Sequence, residues 1–404
     1  MRVIVLNDYG FINGGASQVA ITSLHALAVT GIDVTFVSCV GPVDPAINRN
    51  LVKVVNFGLF DLLNNPSRVD AAIRGIWNQS AKACFDEVLE GFDPKNTVIH
   101  LHGWIKSLSS SVVRLAIKRG FKIVCTLHDY FLVCPNGGLY NYKQAKLCEL
   151  EPMSIACITS NCDSRNYGQK LWRVVRQVVQ NKFGHIPDGI ENFISVSNYS
   201  ESLLRPWLPA TSKIFHVRNP IDIPKLVPPD VGSNQSFAFI GRLSPEKGGS
   251  LFAFAAHLAG VRSVFAGCGD EDNNIRIVNP DAELQGWQNR AGVIRAIQSS
   301  RAIVFPSLLH ETQGLVVLEA AALGVPAIVS DGCAATDAIV DGVTGLLFRA
   351  GDPGDLSAKL TLLQNNPQLA RSLGNKAYDQ YWSNPCTIDN HAKELISCYT
   401  SIMG

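Results

Sequence analysis

The sequence has almost no surplus charge, no long apolar run and no closely paired cysteines. Lys+Arg 35 against Asp+Glu 34 leaves a formal net charge of +1, so no global field is available to hold a nucleic acid. No apolar stretch approaches the ~20 residues that span a bilayer. The opening segment MRVIVLNDYG has too short an apolar run for a secretory core, and no small-residue cleavage site follows it. These absences point to a cytoplasmic protein that would meet a membrane only from its inner face. Eleven Cys without one C-x2-C pair exclude a standard zinc finger. In a reducing compartment most of them should be reduced and buried as small hydrophobes.

What is present is a globular composition, 47% apolar and 17% charged over 404 residues, which is long enough for two domains of roughly 200 residues. RVIVLN and FAFIGR each precede a loop and an apolar helix, SQVAITSLHALA and SLFAFAAHLA. DVTFVS, NTVIHLH, KIVCTLH, ENFISVS, SVFAG, RAIVFPS and PAIVSD are further β-rich runs separated by helical stretches. Near-continuous apolar strands alternating with helices indicate doubly wound α/β units with parallel sheets. The Pro-, Gly- and Ser-rich stretch IDIPKLVPPDVGSNQS reads as a linker. The expected division is 1–225, 226–385 and a last helix in 386–404 that packs back toward the first domain.

Two segments carry chemistry. In HETQGLVVLEAAALG, a loop leads into a helix that is apolar on nearly every face and therefore buried. Glu319 lies inside that helix and needs donors, because a buried carboxylate without partners costs several kcal/mol, roughly. Glu311 lies in the loop, and Gly314 lets a ligand approach the backbone. The free N–H groups from Gly314 through Leu315 and Val316 to Val317 form an anion site. A diphosphate on this helix end with a carboxylate on each side describes a nucleotide sugar. The competing reading is a structurally satisfied Glu319 and an exposed loop Glu311. In IGRLSPEKGG, Arg242 and Lys247 flank a turn ahead of a helix, which suits a diphosphate whose charge grows as it leaves; a solvated surface loop is the alternative. NGGAS places Gly14 and Gly15 between a strand and a helix. It is not G-x-G-x-x-G, so a dinucleotide reading is poor.

Taken together, these segments resemble the family-4 retaining glycosyltransferases. Glu311 and Glu319 match that family's E-x7-E motif, and GRLSPEKG, beginning at Gly241, matches its donor-phosphate loop. NPID (219–222) is similar to its N-G-V-D turn, with Pro220 in place of the usual Gly. GCGD, with Gly267 and Gly269, is similar to its glycine turn beside the nucleotide. The resemblance is specific over 237–348 and looser before it. It implies a GT-B architecture, two facing Rossmann-like doubly wound domains with an interdomain cleft. It also implies transfer of a hexose-type sugar from a UDP- or GDP-linked donor to a glycan or lipid-linked acceptor in polysaccharide, O-antigen or capsule assembly. The leaving diphosphate itself would take the acceptor proton, so neither a classical base nor a metal cofactor is required. Arg242 and Lys247 would hold the diphosphate, Glu311 the transferred sugar and Glu319 the ribose, with Gln313, Gly314, Leu315, Val316, Gly241, Gly269, Gly14 and Gly15 lining the donor. His128, after strand KIVCT, matches a family histidine near the reacting carbon; His102 reads as acceptor-side. Other expectations for such a scaffold are a phosphorylase, a sugar-nucleotide epimerase or a non-catalytic sugar-nucleotide-binding protein.

Two further features carry expectations. Cys134, Cys148, Cys157 and Cys162 lie in a stretch with no clear helix or strand. They pack either as buried small residues around an acceptor loop or as four thiolates closing that loop on zinc. QKLWRVVRQVVQNKF sets Leu171, Trp172, Val175, Val178 and Val179 along one helical face. Lys170, Arg173, Arg176 and Lys182 add positive charge, a pattern that can lie on anionic lipid. The alternative is a helix that packs within its domain.

Overall fold

The computed structural model describes residues 1–404. The first strands are β1 (Arg2–Tyr9), β2 (Asp33–Val40), β3 (Val52–Asn56), β4 (Thr97–Leu101) and β5 (Lys122–Thr126). A hairpin of β6 (Tyr140–Asn141) and β7 (Lys146–Leu147) follows, then β8 (Asn192–Ser195) and β9 (Lys213–His216). Seven of these form one sheet in the order β3-β2-β1-β4-β5-β8-β9, parallel throughout. The chain continues through β10 (Ser236–Ile240), β11 (Arg262–Ala266), β12 (Glu283–Gly286), β13 (Ser300–Phe305), β14 (Ala327–Ser330) and β15 (Gly345–Phe348). These form a second parallel sheet in the order β12-β11-β10-β13-β14-β15. Both are Rossmann-like.

Two compact units result. The first holds 1–139, 149–220 and 387–404; the second holds 140–148 and 221–386. In the first sheet Ile4 and Leu6 face one core layer while Val3 and Val5 face another. Helices thus cover both faces, as parallel sheets require. The terminal helix Ile388–Met403 belongs to the second of these layers through Leu395, Cys398, Tyr399 and Ile402. The second unit buries Phe237, Phe239, Phe252 and Phe265 with the helix residues Val317 and Ala320.

In each sheet the strand order reverses beside the first strand, between β1 and β4 and between β10 and β13. Ligands of open α/β sheets sit at such switch points, beyond the carboxyl ends of the strands. The loops after β1, β4 and β5 carry Gly14, His102 and His128, and those after β10 and β13 carry Arg242, Lys247 and Glu311.

One expectation needs correction, and a second holds for only part of its residues. The segment around the cysteines is not structureless: it contains the β6–β7 hairpin and a short helix, Ile155–Thr159. The helix Tyr167–Lys182 turns Leu171, Val175 and Val178 outward, as a membrane-facing patch requires, but two of its four cations turn inward. Lys170 and Arg176 are buried with Gln177 and Gln180, whereas Leu171, Val175 and Val178 are exposed. The reason lies in the irregular backbone at 131–135, whose carbonyls need donors. Gln180 Nε2 donates to Phe131 O at 3.2 Å, Gln177 Nε2 to Leu132 O at 3.0 Å and Arg176 Nη2 to Pro135 O at 3.1 Å.

Candidate active site

The second unit builds its site from two loops locked together. In the loop after β10, Ser244 starts a single 3-10 turn, Pro245–Lys247, that ends at Gly248 with φ +74°. A Cβ on Gly248 would lie 2.1 Å from Pro306 O, so only glycine lets the two loops meet. Leu308 N donates to Glu246 O at 2.9 Å across the same junction. Lys247 thereby reaches the loop after β13, and its Nζ donates to Glu311 Oε1 at 2.6 Å. The same oxygen accepts Ser307 Oγ at 2.6 Å. Glu311 has φ +51°, a left-handed conformation that a non-glycine residue holds at some cost and that clusters at functional sites.

The helix Leu315–Ala322 begins at Gly314, φ +82°, where a Cβ would come within 2.6 Å of Ala335 Cβ. Val317 N donates to Gly314 O at 3.1 Å. The expected row of free donors therefore stops short of Val317. One turn on, Glu319 is paired with Arg290, whose Nη2 also donates to Asp222 O at 2.9 Å. Burial raises the Glu319 carboxyl above its usual range, and the Arg290 guanidinium opposes that shift. Arg290 sits at the first turn of the helix Arg290–Gln298, 29 positions away, and nothing in the local sequence marks it as a partner. Arg242 is the more open cation, bonded through Nη2 to Glu246 at 2.9 Å with its side chain 67% exposed. Gln313 is buried. Gly269 is packed so closely that a Cβ would lie 2.1 Å from Leu243 O. Gly241 has φ +152° at the end of β10.

The first unit is different in kind. Gly14, φ +102°, precedes the helix Gly15–Val29, and open space stands before both Gly14 and Gly15. At the ends of β4 and β5 lies a ladder of histidines. His102 Nδ1 and His128 Nε2 share a hydrogen bond of 2.9 Å, and their rings stack. His100 bonds Tyr399 Oη through Nδ1 and Thr126 Oγ1 through Nε2, both at 2.6 Å. Burial keeps the whole group neutral. His128 is lowered to about 3 by burial, and His100 and His102 are also pulled well down, first by burial and then by the other histidines. The far nitrogen of His102, Nε2, is buried with no hydrogen-bond partner.

Comparison with known proteins bears on the second unit most directly. Residues 230–380 match the family model for glycosyl transferases group 1. The second unit is a group 1 glycosyltransferase domain. A protein from the cps region of Klebsiella pneumoniae, 42.6 kDa and without an assigned activity, is 23% identical over 79% of this chain and 82% of its own length. The GDP-mannose-dependent alpha-mannosyltransferase of Mycolicibacterium smegmatis is 30% identical, over 41% of this chain and 43% of that one. Among solved structures, sucrose-phosphate synthase from Thermosynechococcus elongatus superposes with a TM-score of 0.71 at 16% identity, covering 100% of this chain and 99% of that one. Anabaena HepE, solved in complex with UDP-glucose, gives 0.67 at 15% identity, covering 99% of this chain and 100% of that one. These likenesses establish the two-domain GT-B fold, and the family match, confined to 230–380, supports a glycosyltransferase.

Two details around the glycosyltransferase domain depart from the sequence reading. It contains one D-x-D string, Asp270-Glu271-Asp272, which that reading passed over. Here the string opens the helix Asp272–Val278. Glu271 accepts Ser250 Oγ at 2.5 Å and Asn274 Nδ2 at 2.9 Å, and Asp272 accepts Gly269 N at 3.2 Å, so these two carboxylates serve a turn and a helix start. The four-cysteine zinc expectation fails on geometry. Cys148 groups with the second unit and the other three with the first. Lys170 Nζ lies 3.3 Å from Cys162 Sγ and 3.6 Å from Cys157 Sγ, where its ammonium takes the place a cation would need. No set of three His, Cys, Asp or Glu side chains converges in a way that could hold a metal.

Proposed function

We propose that this glycosyltransferase is a retaining enzyme that moves a hexose-type sugar from a UDP- or GDP-linked donor to a glycan or lipid-linked acceptor in surface polysaccharide assembly. The observation that carries the proposal is the pair of carboxylate–cation contacts, Lys247–Glu311 and Arg290–Glu319, bracketing the start of the helix Leu315–Ala322. A donor seated on that helix end would place its diphosphate against the N–H groups of Gly314, Leu315 and Val316 and the cations Lys247 and Arg242. Its transferred sugar would lie on Glu311 and its ribose on Glu319. Both carboxylates are already held in place by cations, so neither must reorganise as the donor binds. Gly241, Gly269 and Gln313 line the same loops, and Gly14 and Gly15 leave room for the phosphates at the first unit's own strand ends.

Breaking the anomeric bond puts charge on the leaving diphosphate, and Lys247, Arg242 and the helix N–H groups lie where they would stabilise it. The leaving oxygen can take the proton of the incoming hydroxyl on the same face, which retains configuration and leaves no step for a strong base. A neutral His128 fits this chemistry as a hydrogen-bonding contact to the sugar. No residue is assigned to a metal. The mannosyltransferase relative favours a GDP donor and the UDP-glucose complex of HepE a UDP donor, while the cps-region relative favours capsule assembly as the setting. The exposed Leu171, Val175 and Val178 would rest on the inner membrane face; no helix is long and apolar enough to cross a membrane.

The test is a panel of UDP- and GDP-sugars, read first by thermal shift and then by donor hydrolysis and transfer. A bound donor raises apparent stability by RT ln(1 + [L]/Kd), roughly 2.7 kcal/mol at one hundred times Kd. One sugar nucleotide should stabilise the protein strongly and be hydrolysed slowly without an acceptor. No stabilisation by any member would overturn the reading.

A further inference from the structure

The helix Tyr167–Lys182 buries a lysine that the transfer chemistry does not use. Lys170 is 0% exposed, and a buried ammonium is tolerated only beside a compensating group. Its Nζ donates to sulfur, to Cys162 Sγ at 3.3 Å and to Cys157 Sγ at 3.6 Å. The nearest acid along the chain, Asp163, is committed elsewhere: Arg165 N donates to it at 3.0 Å and Arg173 pairs with it at 3.1 Å. Cys134 completes the surroundings. Its Sγ donates to Asn136 Oδ1 at 3.1 Å, and Asn136 Nδ2 lies 3.4 Å from Cys162 Sγ, so that amide stands between the two sulfurs.

The three thiols are therefore not equivalent. Burial raises the Cys134 thiol, and its proton is given to Asn136. Cys157 and Cys162 instead share one ammonium. A cation in contact with a sulfur stabilises the negative charge that the sulfur carries when it attacks. Burial works against the charge of Lys170, but Cys157 and Cys162 outweigh it and hold the ammonium above the ordinary lysine range. Lys170 thus keeps its proton and acts as a fixed positive charge, not as a nucleophile.

The cluster lies just beneath the surface. Cys157 and Cys162 are buried, while their neighbours Ala156 and Asn161 are exposed. Cys157 is the one buried residue of the helix Ile155–Thr159, whose cap is Ser154 Oγ accepting Cys157 N at 3.1 Å. Ile155 in the same helix is 82% exposed. A single helical turn with one inward side chain opens locally at little cost, which frees Cys157 to turn toward Cys162.

We propose that Cys162, Cys157 and Lys170 form an oxidation site for hydroperoxides, with Cys162 as the attacked thiol, Cys157 as its partner and Lys170 as the cation that holds the reacting sulfur. Cys162 Sγ attacks one peroxide oxygen. The O–O bond breaks, an S–O bond forms, and the other oxygen leaves with the thiol proton, as water when the oxidant is hydrogen peroxide. Sulfur loses two electrons and the peroxide gains them. Cys157 Sγ then displaces the sulfenic oxygen, which departs with the Cys157 proton as a second water while the S–S bond forms. Neither sulfur of the disulfide can carry the charge that answers Lys170, so oxidation loosens the segment 154–170 and reduction restores it. In a reducing compartment such a bond is transient and serves sensing. The site is independent of the transfer chemistry.

The test uses the full, reduced chain, treated with a small excess of hydrogen peroxide and mapped by mass spectrometry of unreduced peptides. Cys268, an exposed thiol, is the internal standard. Cys162 should react at least about tenfold faster than Cys268. The product should be a Cys157–Cys162 disulfide that dithiothreitol reverses, and amide hydrogen exchange over 154–170 should quicken by at least about threefold in the oxidised form. Cys157→Ser should stop at a sulfenic acid on Cys162 that dimedone captures. Lys170→Met should slow Cys162 by at least about tenfold; if circular dichroism shows that variant unfolded, the wild-type ratio of Cys162 to Cys268 decides. Cys268 reacting first, a Cys134–Cys162 disulfide, or Cys157 and Cys162 surviving as thiols would each overturn the inference, and unchanged exchange in the disulfide form would overturn the loosening.

Discussion

The two Rossmann-like units place chemistry at equivalent strand ends by opposite means. The second unit uses charge already paired: Lys247 with Glu311, Arg290 with Glu319 and Arg242 with Glu246. The first holds its strand-end histidines neutral by burial. The pairs keep the second site organised before anything binds. Under the proposed function, the contrast gives the leaving-group chemistry to the second unit.

The largest effect that would break this contrast is at Lys247 and Glu311. Lys247→Ala and Glu311→Gln should each lower transfer by about 10²-fold or more, the usual scale for one charge-stabilising group, with an unchanged circular dichroism spectrum. Near-wild-type turnover in either variant would remove the second unit's claim to the chemistry.

The next prediction is an acid limit belonging to the first unit. His100, His102, His128 and His391 all sit below the ordinary histidine range, to about 3 for His128 and about 4 for His391. The unfolded chain binds these protons more readily than the native one. Stability is therefore full above about pH 6.5 and falls as pH drops toward those native values, by about 1.4 kcal/mol per pH unit for each histidine titrating. Urea midpoints measured from pH 7.5 to 4.5 should fall steadily. His128→Gln with His391→Gln should flatten the slope, and an unchanged slope would mean that these rings are hydrated.

A smaller effect is expected at Arg290. Replacing it with Met leaves Glu319 buried without its cation and raises that carboxyl further. Such a group stabilises the native state only while protonated. The deficit in melting temperature should therefore be largest near pH 8 and shrink on acidification toward pH 5. A deficit that grows on acidification would contradict the pairing. The smallest effect concerns the exposed aliphatic residues: Leu171→Asp with Val175→Asp should leave the melting temperature nearly unchanged and abolish flotation with anionic vesicles. Flotation equal to wild type would leave that surface without a membrane role.

How much of this could be read from the sequence depended on where each residue sits in the sheet. The strands foreseen were the central ones, with burial on both faces and near-continuous apolar residues. Besides the β6–β7 hairpin, the strands passed over, β3, β9, β12 and β15, are the edges of the two parallel sheets, where VKVVN, KIFH and ELQG are partly polar and GLLF is very short. Glu311, Glu319, Arg242 and Lys247 were legible because their spacing within one loop or one helix carries the pattern. Arg290 and Ser307 were not, because each gains its meaning only when folding brings it to a carboxylate. On the helix Tyr167–Lys182 the outward apolar residues were legible, but the burial of Arg176, Gln177 and Gln180 was not, because this polar face answers carbonyls of a loop some forty residues earlier, a demand that hydrophobic periodicity does not register.

The path of the chain has a consequence for recombination. The first unit is assembled from three stretches and the second from two, so the polypeptide passes between them at 139/140, 148/149, 220/221 and 386/387. A gene fusion that exchanged the glycosyltransferase domain at a single crossover near 221 would carry off the terminal helix with it. That helix supplies Tyr399 to His100 and His391 to Ser23. Donor specificity could then be exchanged between relatives by whole-domain shuffling only where the foreign terminal helix still fits the resident first unit. Inheritance by point substitution within the loops after β10 and β13 escapes that constraint.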